Sequence, residues 1–352
     1  MKVRIARRLR TVAALLCLSL AAALTATPAA AAPPKPLFAS DQPIHITIQA
    51  PLSTLMRNRS FEGSVAGSLT EPSGLKLPAT FALRGITRRT AETCDFAPLK
   101  VKFTGNPPPG SLFAGQNKLK LVTHCKSSAG FQQNVLLEYA AYRMYNLLTP
   151  FSMRARLASI DYVDETGRPI VSRVGFFLED SADIAKRNDM REVVAGERIP
   201  VTWLRPDDAA RYAVFQDLIA NHDWSMRAGP AGDECCHNAR LIGVPRPGQV
   251  IPVPYDFDFS GLVNAPYATA PDELGIGDVR QRVYRGYCIH GAQALAAARQ
   301  MRDQRPAMLA VLAQTAGIEP RTVQNATAFL DRFFTDIVTD DKAARTLSRC
   351  LG

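Results

Sequence analysis

Ile44-His45-Ile46-Thr47-Ile48-Gln49 alternates apolar and polar residues without a break. Successive side chains of a strand point to opposite faces, so the three isoleucines share one buried face. Strand-like runs follow at 79–84, 99–103 and 119–123, with the loop Asn106-Pro107-Pro108-Pro109-Gly110 among them. The period then changes. Over 132–148, Val135, Tyr139, Tyr142 and Tyr145 recur at helical steps, and Pro150 ends the run. Runs at 154–161 and 170–178 flank the turn Asp164-Glu165-Thr166-Gly167 and predict a hairpin. Beyond Glu179 the pattern is mostly helical. Pro206-Asp207 opens a helix whose inner face carries Tyr212, Phe215, Leu218 and Ile219. Two strands, 238–244 and 250–259, precede Ala/Leu/Arg-rich helices that include 291–302 and 322–338. The expected class is α+β: a β-rich first part with one helix, then a mainly helical part holding a short hairpin.

The N-terminal text sets the expected compartment. Met1 to Arg10 is basic, 11–24 is short and apolar, and Ala29-Ala30-Ala31-Ala32 precedes Pro33-Pro34. These are the three parts of a secretory signal peptide. Its apolar core is shorter than the roughly 20 residues that span a bilayer. Residues 1–32 are therefore expected to be a signal peptide and 33–43 a Pro/Ala-rich tether, with no stable membrane span after cleavage and a periplasmic or secreted destination. Lys2, Arg4, Arg7, Arg8 and Arg10 leave with the signal and no acid does, so a net charge of +10 falls to about +5. That balance is mildly basic, and no dense cationic run with interleaved aromatics follows it. Nucleic acid is not an expected partner.

Six cysteines remain beyond the signal: Cys94, Cys125, Cys235, Cys236, Cys288 and Cys350. An even number in an oxidising compartment reads as disulfides. Cys94–Cys125 is expected in the first part, with Cys235 and Cys236 reaching Cys288 and Cys350. A metal site on Cys235, Cys236 and His237 is the alternative, and adjacent cysteines lack the usual C-x-x-C spacing.

Three places could carry chemistry. If 250–259 is a strand, Asp256 and Asp258 share a face opposite Ile251, Val253, Tyr255, Phe257 and Phe259. Adjacent carboxylates repel, and a hard cation such as Mg²⁺ relieves that repulsion through oxygen ligands; solvated carboxylates are the plainer alternative. Asn221-His222-Asp223-Trp224 ends a helix and offers either a base beside a metal ligand or ordinary turn chemistry. Glu138 stands among apolar residues of the 132–148 helix and needs a cationic partner if buried. Lys118 and Lys120 are available, and because alternate strand residues share a face, spacing does not choose between them. The chain has no H-E-x-x-H, Walker A or G-x-S-x-G motif.

Taken in order, several segments resemble the spore-coat CotH family, over roughly residues 44–265. They are Leu83-Arg84-Gly85-Ile86-Thr87, Lys118-Leu119-Lys120-Leu121, Leu137-Glu138-Tyr139-Ala140-Ala141-Tyr142, Gly175-Phe176-Phe177-Leu178-Glu179, Asn221-His222-Asp223, Asn238-Ala239-Arg240-Leu241 and Tyr255-Asp256-Phe257-Asp258. The resemblance implies a two-lobed protein-kinase-like fold, with a β-rich N-lobe over 44–180 and a helical C-lobe over 181–352 carrying the metal-carboxylate hairpin. It implies that Lys120 holds phosphate and pairs with Glu138, that Lys118 and Glu179 serve the nucleotide side, and that Asp223 is the catalytic base. Asp256 would bind Mg²⁺, supported by Asp258 and Asn238. The implied activity is a Mg²⁺- and ATP-dependent phosphotransferase acting on an exported protein or envelope polymer. The alternative is a non-catalytic pseudokinase or binding module in cell-envelope assembly. An insertion carrying Cys235 and Cys236, and His222 in place of an aromatic residue, depart from the family pattern.

Overall fold

The computed structural model describes residues 35–352; the expected signal peptide lies outside them. In the first part, β1 (Ile44–Gln49) leads to α1 (Leu52–Arg57), β2 (Val65–Thr70), β3 (Lys76–Leu83), β4 (Leu99–Phe103) and β5 (Lys118–Val122). The helix α2 (Ala129–Asn146) and the hairpin of β6 (Ala155–Val163) and β7 (Pro169–Leu178) complete it.

Both edges of β1 are paired, and that decides the architecture. One edge runs antiparallel to β2, from Thr47 opposite Thr70 to Gln49 opposite Ser68. The other runs parallel to β6, from Ile44 opposite Ala158 to Gln49 opposite Val163. The strands therefore close into a barrel in the order β1-β2-β3-β4-β5-β7-β6. Closure removes the free edges that an open sheet must protect.

The two-lobed protein-kinase-like expectation is corrected by this barrel. The alternation over β1 was compatible with an open sheet as well, because a barrel strand and a half-buried sheet strand share the same period. The division at 180 is not a seam either. Tyr142 of α2 packs on Phe176 of β7 and on Phe257 beyond the later hairpin, with ring centroids 5.7 and 4.6 Å apart. Tyr145 meets Phe215 at 4.8 Å. One apolar cluster thus joins α2, the β6–β7 wall and the helical part.

The barrel interior holds Ile44, Ile46, Ile48, Phe81, Phe113 and Phe177. Leu37 and Phe38, from the 3-10 turn Pro36–Phe38, are buried with them. Within the expected 33–43 tether, Leu37 and Phe38 are thus docked, while residues 39–43 are exposed. Strand β2 escaped the sequence reading because Val65-Ala66-Gly67-Ser68 lacks bulky residues. Gly67 is required there: a Cβ would run into the Gln49 carbonyl oxygen and the Ala50 side chain. Gly67→Ala is expected to destabilise the barrel by about 1–3 kcal/mol through overpacking, read as a lower urea midpoint with unchanged slope.

The second part contains α3 (Ser181–Arg187), α4 (Pro206–Leu218), β8 (Ala239–Gly243), β9 (Val250–Pro254), α5 (Gly291–Gln314), α6 (Pro320–Asp336) and α7 (Asp340–Thr346). The expected strand 250–259 stops at Pro254, and the residues after it form a turn in which Asp256 has φ +63°. Among the described residues no helix is long and apolar enough to cross a membrane.

The six described cysteines form three disulfides. Cys94–Cys125 pairs as expected. Cys235 and Cys236 pair with each other, and Cys288 pairs with Cys350, so the expected reach of the adjacent cysteines to the C-terminal part is corrected. The two long-range bridges span 31 and 62 residues. On a chain-entropy model each restrains the unfolded state by about 4 kcal/mol.

Candidate functional site

Arg88 is the centre of the site. It lies in the 3-10 turn Thr87–Arg89, which leaves β3, and it is buried. Its Nη1 meets Glu138 Oε2 of α2 at 2.9 Å, its Nη2 meets Asp256 Oδ1 at 2.9 Å, and its Nε meets Asp258 Oδ2 at 3.2 Å. Glu138 and Asp258 are buried as well. Oxygens of the three carboxylates lie within 4.8 Å of one another, with one guanidinium among them.

The electrostatics follow from that count. Burial works against the charge on Arg88, but Asp258, Glu138 and Asp256 outweigh it and raise its pKa well above the usual value. Burial, opposed by Arg88 and reinforced by Asp256 and Glu138, pushes the Asp258 carboxyl well above the carboxylate range. Glu138 is raised for the same reasons. Asp256 goes the other way: burial is outweighed by Arg88, Arg84 and Lys120, and its pKa is lowered. Asp256 is thus the member of the cluster whose pKa is lowered, and its side chain is 33% exposed. Its turn is fixed by its own backbone N–H, which donates to Tyr142 Oη at 2.8 Å.

Around this core lies a mixed rim. Lys120 of β5 places Nζ 4.6 Å from the Tyr255 ring centroid, and the Arg240 guanidinium lies 5.3 Å from the same ring. Burial, then repulsion from Arg84 and Arg240, lowers the Lys120 pKa to about 7. Asp223 follows α4 and lies against His237 and Asn238, which lead into β8. Its Oδ1 meets His237 Nε2 at 2.5 Å, and its Oδ2 accepts from Asn238 Nδ2 at 2.9 Å. The hydrogen bond to Asp223 raises the His237 pKa against the opposing effect of burial. Asn238 is held in turn: its carbonyl accepts from Tyr255 N–H at 3.1 Å and from Tyr212 Oη at 3.2 Å. Ala220, Asn238 and Asp256 all have positive φ, at 49°, 48° and 63°. Such backbone costs about 1–3 kcal/mol per residue and concentrates where geometry serves function.

Several expected residues converge here and others do not. Glu138, Asp256 and Asp258 meet, but around Arg88. The expected Glu138 pairing with Lys118 or Lys120 is corrected, because Arg88 meets Glu138 with two nitrogens. Lys118 is exposed and 3.6 Å from Asp180, so Lys120 is the lysine that faces the site. Glu179 is buried and committed to Arg187 Nε at 3.0 Å and to the Arg154 backbone N–H at 3.1 Å, which takes it out of the nucleotide role. Asp258 Oδ2 is held by Arg88 and by Tyr267 Oη at 3.1 Å, yet Asp258 remains one of the three clustered carboxylates, and the Asn238 Nδ2 donates to Asp223. His222 is buried and bound to the Gln281 carbonyl at 2.8 Å, outside the rim.

Sequence reasoning missed Arg88 and the acid–base pairing of His237. The signal for Arg88 was present in Glu138, whose burial demanded a cation; an arginine suits three carboxylates because its planar fork offers donors in several directions. No protein-family model and no curated protein matches this chain.

Proposed function

We propose that this chain is an exported Mg²⁺-dependent phosphotransferase, using a nucleotide such as ATP and acting on an exported protein or envelope polymer. The observation that carries this reading is the rim itself: Lys120, Arg84 and Arg240 crowd together at the edge of two outward carboxylates, Asp256 and Asp223. Phosphoryl transfer calls for that division, cations for phosphate oxygens and carboxylates for a metal and a base. The ordered motifs that resemble the CotH family support the same chemistry at the level of residues, without its fold.

Mg²⁺ keeps most of its waters and takes one or two carboxylates plus phosphate, so the outward oxygen of Asp256 fits it. Bound there it would neutralise phosphate charge. The chain does the rest. Lys120, Arg84 and Arg240 hold the phosphate oxygens. Asp223, with His237, receives the proton of the acceptor hydroxyl as the phosphorus–oxygen bond to the acceptor forms and the bond to the nucleoside diphosphate breaks.

The test uses the purified oxidised protein, with ATP–Mg²⁺ binding by calorimetry and transfer to serine/threonine peptides and purified wall polymer. Asp223→Ala is expected to keep nucleotide binding and to lower transfer about 10²–10⁴-fold. Binding should weaken as pH rises through about 7, where Lys120 loses its proton, and Lys120→Arg should remove that dependence. Absence of both binding and transfer would sink the enzyme reading. One observation favours a second reading, a non-catalytic binding module in envelope assembly: Glu138 is taken by Arg88, leaving Lys120 without the acidic partner that orients a phosphate lysine.

A further inference from the structure

A second cavity, of about 410 Å³, lies between the Pro36–Phe38 turn, the C-terminal end of α2, the start of β6 and α3. Its walls are polar and include Asp41, Arg143, Asn146, Thr149, Arg154 and Arg187. None of these belongs to the Asp256 site.

The three arginines are not equivalent. Arg187 is fully used: Nε meets Glu179, Nη1 donates to the Pro150 carbonyl at 2.7 Å, and Nη2 donates to the Ser152 carbonyl at 2.7 Å. Arg143 pairs with the exposed Asp41, and its buried Nε has no hydrogen-bond partner. The Arg154 guanidinium has no carboxylate partner among the described residues; its one hydrogen bond is a weak donation to the Phe38 carbonyl at 3.5 Å. Burial, then the nearby Arg187, lowers the Arg154 pKa. Three guanidiniums thus face two carboxylates, Asp41 and Glu179, and the unmatched cation is partly desolvated in a cavity.

We propose that this cavity binds a phosphomonoester, with Arg154 as the primary phosphate ligand and Arg143 as the second. Guanidinium binds phosphate through paired, charge-assisted hydrogen bonds, and an oxyanion would satisfy the donors that the fold leaves open. The cavity is several times larger than phosphate alone, and Asn146 and Thr149 give the remainder a polar lining suited to a hydroxylated group. Asp41 acts against binding, since it competes for Arg143.

The experiment is calorimetric titration of the oxidised protein with inorganic phosphate and with glucose 6-phosphate. Arg154→Ala is expected to weaken binding about tenfold or more. Asp41→Asn, which releases Arg143, is expected to strengthen it about threefold, an increase that a purely structural Asp41 would not produce. If Arg154→Ala does not fold, the sign of the Asp41→Asn effect decides. Glucose 6-phosphate binding more tightly than phosphate supports the phosphomonoester; equal affinity reduces the ligand to free phosphate and overturns that part. Absence of saturable binding up to about 10 mM overturns the site. So does binding that is lost in Lys120→Ala but not in Arg154→Ala, which would assign it to the Asp256 rim.

Discussion

Arg88→Ala is expected to cost about 3–5 kcal/mol of stability near neutral pH, with most of the loss recovered in acid. The variant leaves Glu138, Asp256 and Asp258 together with no guanidinium between them. Truncating one partner of a buried ion cluster is far worse than never having built it, because the remaining charges stay desolvated. The sign with pH follows from linkage. Without Arg88 the raised pKa values of Glu138 and Asp258 rise further and Asp256 loses the largest cause of its lowering, so the fold binds more protons than the unfolded chain. Stability then falls as pH rises through that window. Urea unfolding of variant and parent at pH 5 and pH 8 measures it. The difference between them should be large at pH 8 and small at pH 5. An equal difference at both values would mean that Arg88 serves packing rather than charge. Arg88→Lys should recover only part of the loss, since an ammonium cannot present the planar fork that reaches all three carboxylates.

The parts of the fold legible in the sequence were those set by local period. The alternation of Ile44, Ile46 and Ile48 marks β1, and the recurrence of Val135, Tyr139 and Tyr142 marks α2. What closes the barrel is the parallel pairing of β1 with β6, more than a hundred residues downstream, and no local pattern encodes which edge a strand will meet. Gly67 was the faint trace, a small residue where two backbones approach. The site divides in the same way. The burial of Glu138 implied a cation; its identity depended on a turn after β3 that carries no period at all. Asp256 and Asp258 were expected on one strand face, whereas β9 ends at Pro254 and a turn in the left-handed region brings both to Arg88. The Cys94–Cys125 bridge was readable as the pair confined to the first part. The Cys235–Cys236 pairing was not, because six cysteines allow 15 pairings and spacing alone does not choose among them.

Asp256→Asn is expected to separate stability from activity, leaving the first unchanged or raised while lowering phosphoryl transfer about 10³-fold or more. Three features of the structure make the fold tolerant. The Asp256 charge is one of the causes that raise Glu138 and Asp258, so its removal relieves repulsion inside the cluster. The amide oxygen of Asn can still accept the Arg88 Nη2 hydrogen bond, which spans 2.9 Å in the parent. The backbone at this position has φ +63°, a region that Asn tolerates at least as well as Asp. The same substitution removes the one carboxylate of the cluster whose pKa is lowered and whose side chain is partly open to solvent, and a neutral amide is a poor ligand for a hard divalent cation. Thermal melts and transfer assays on one preparation read both effects. A melting point that falls together with activity would show that Asp256 is a structural counter-ion of Arg88. Intact stability with intact transfer would remove Asp256 from the chemistry and leave Asp223 and His237 to act without a neighbouring cation.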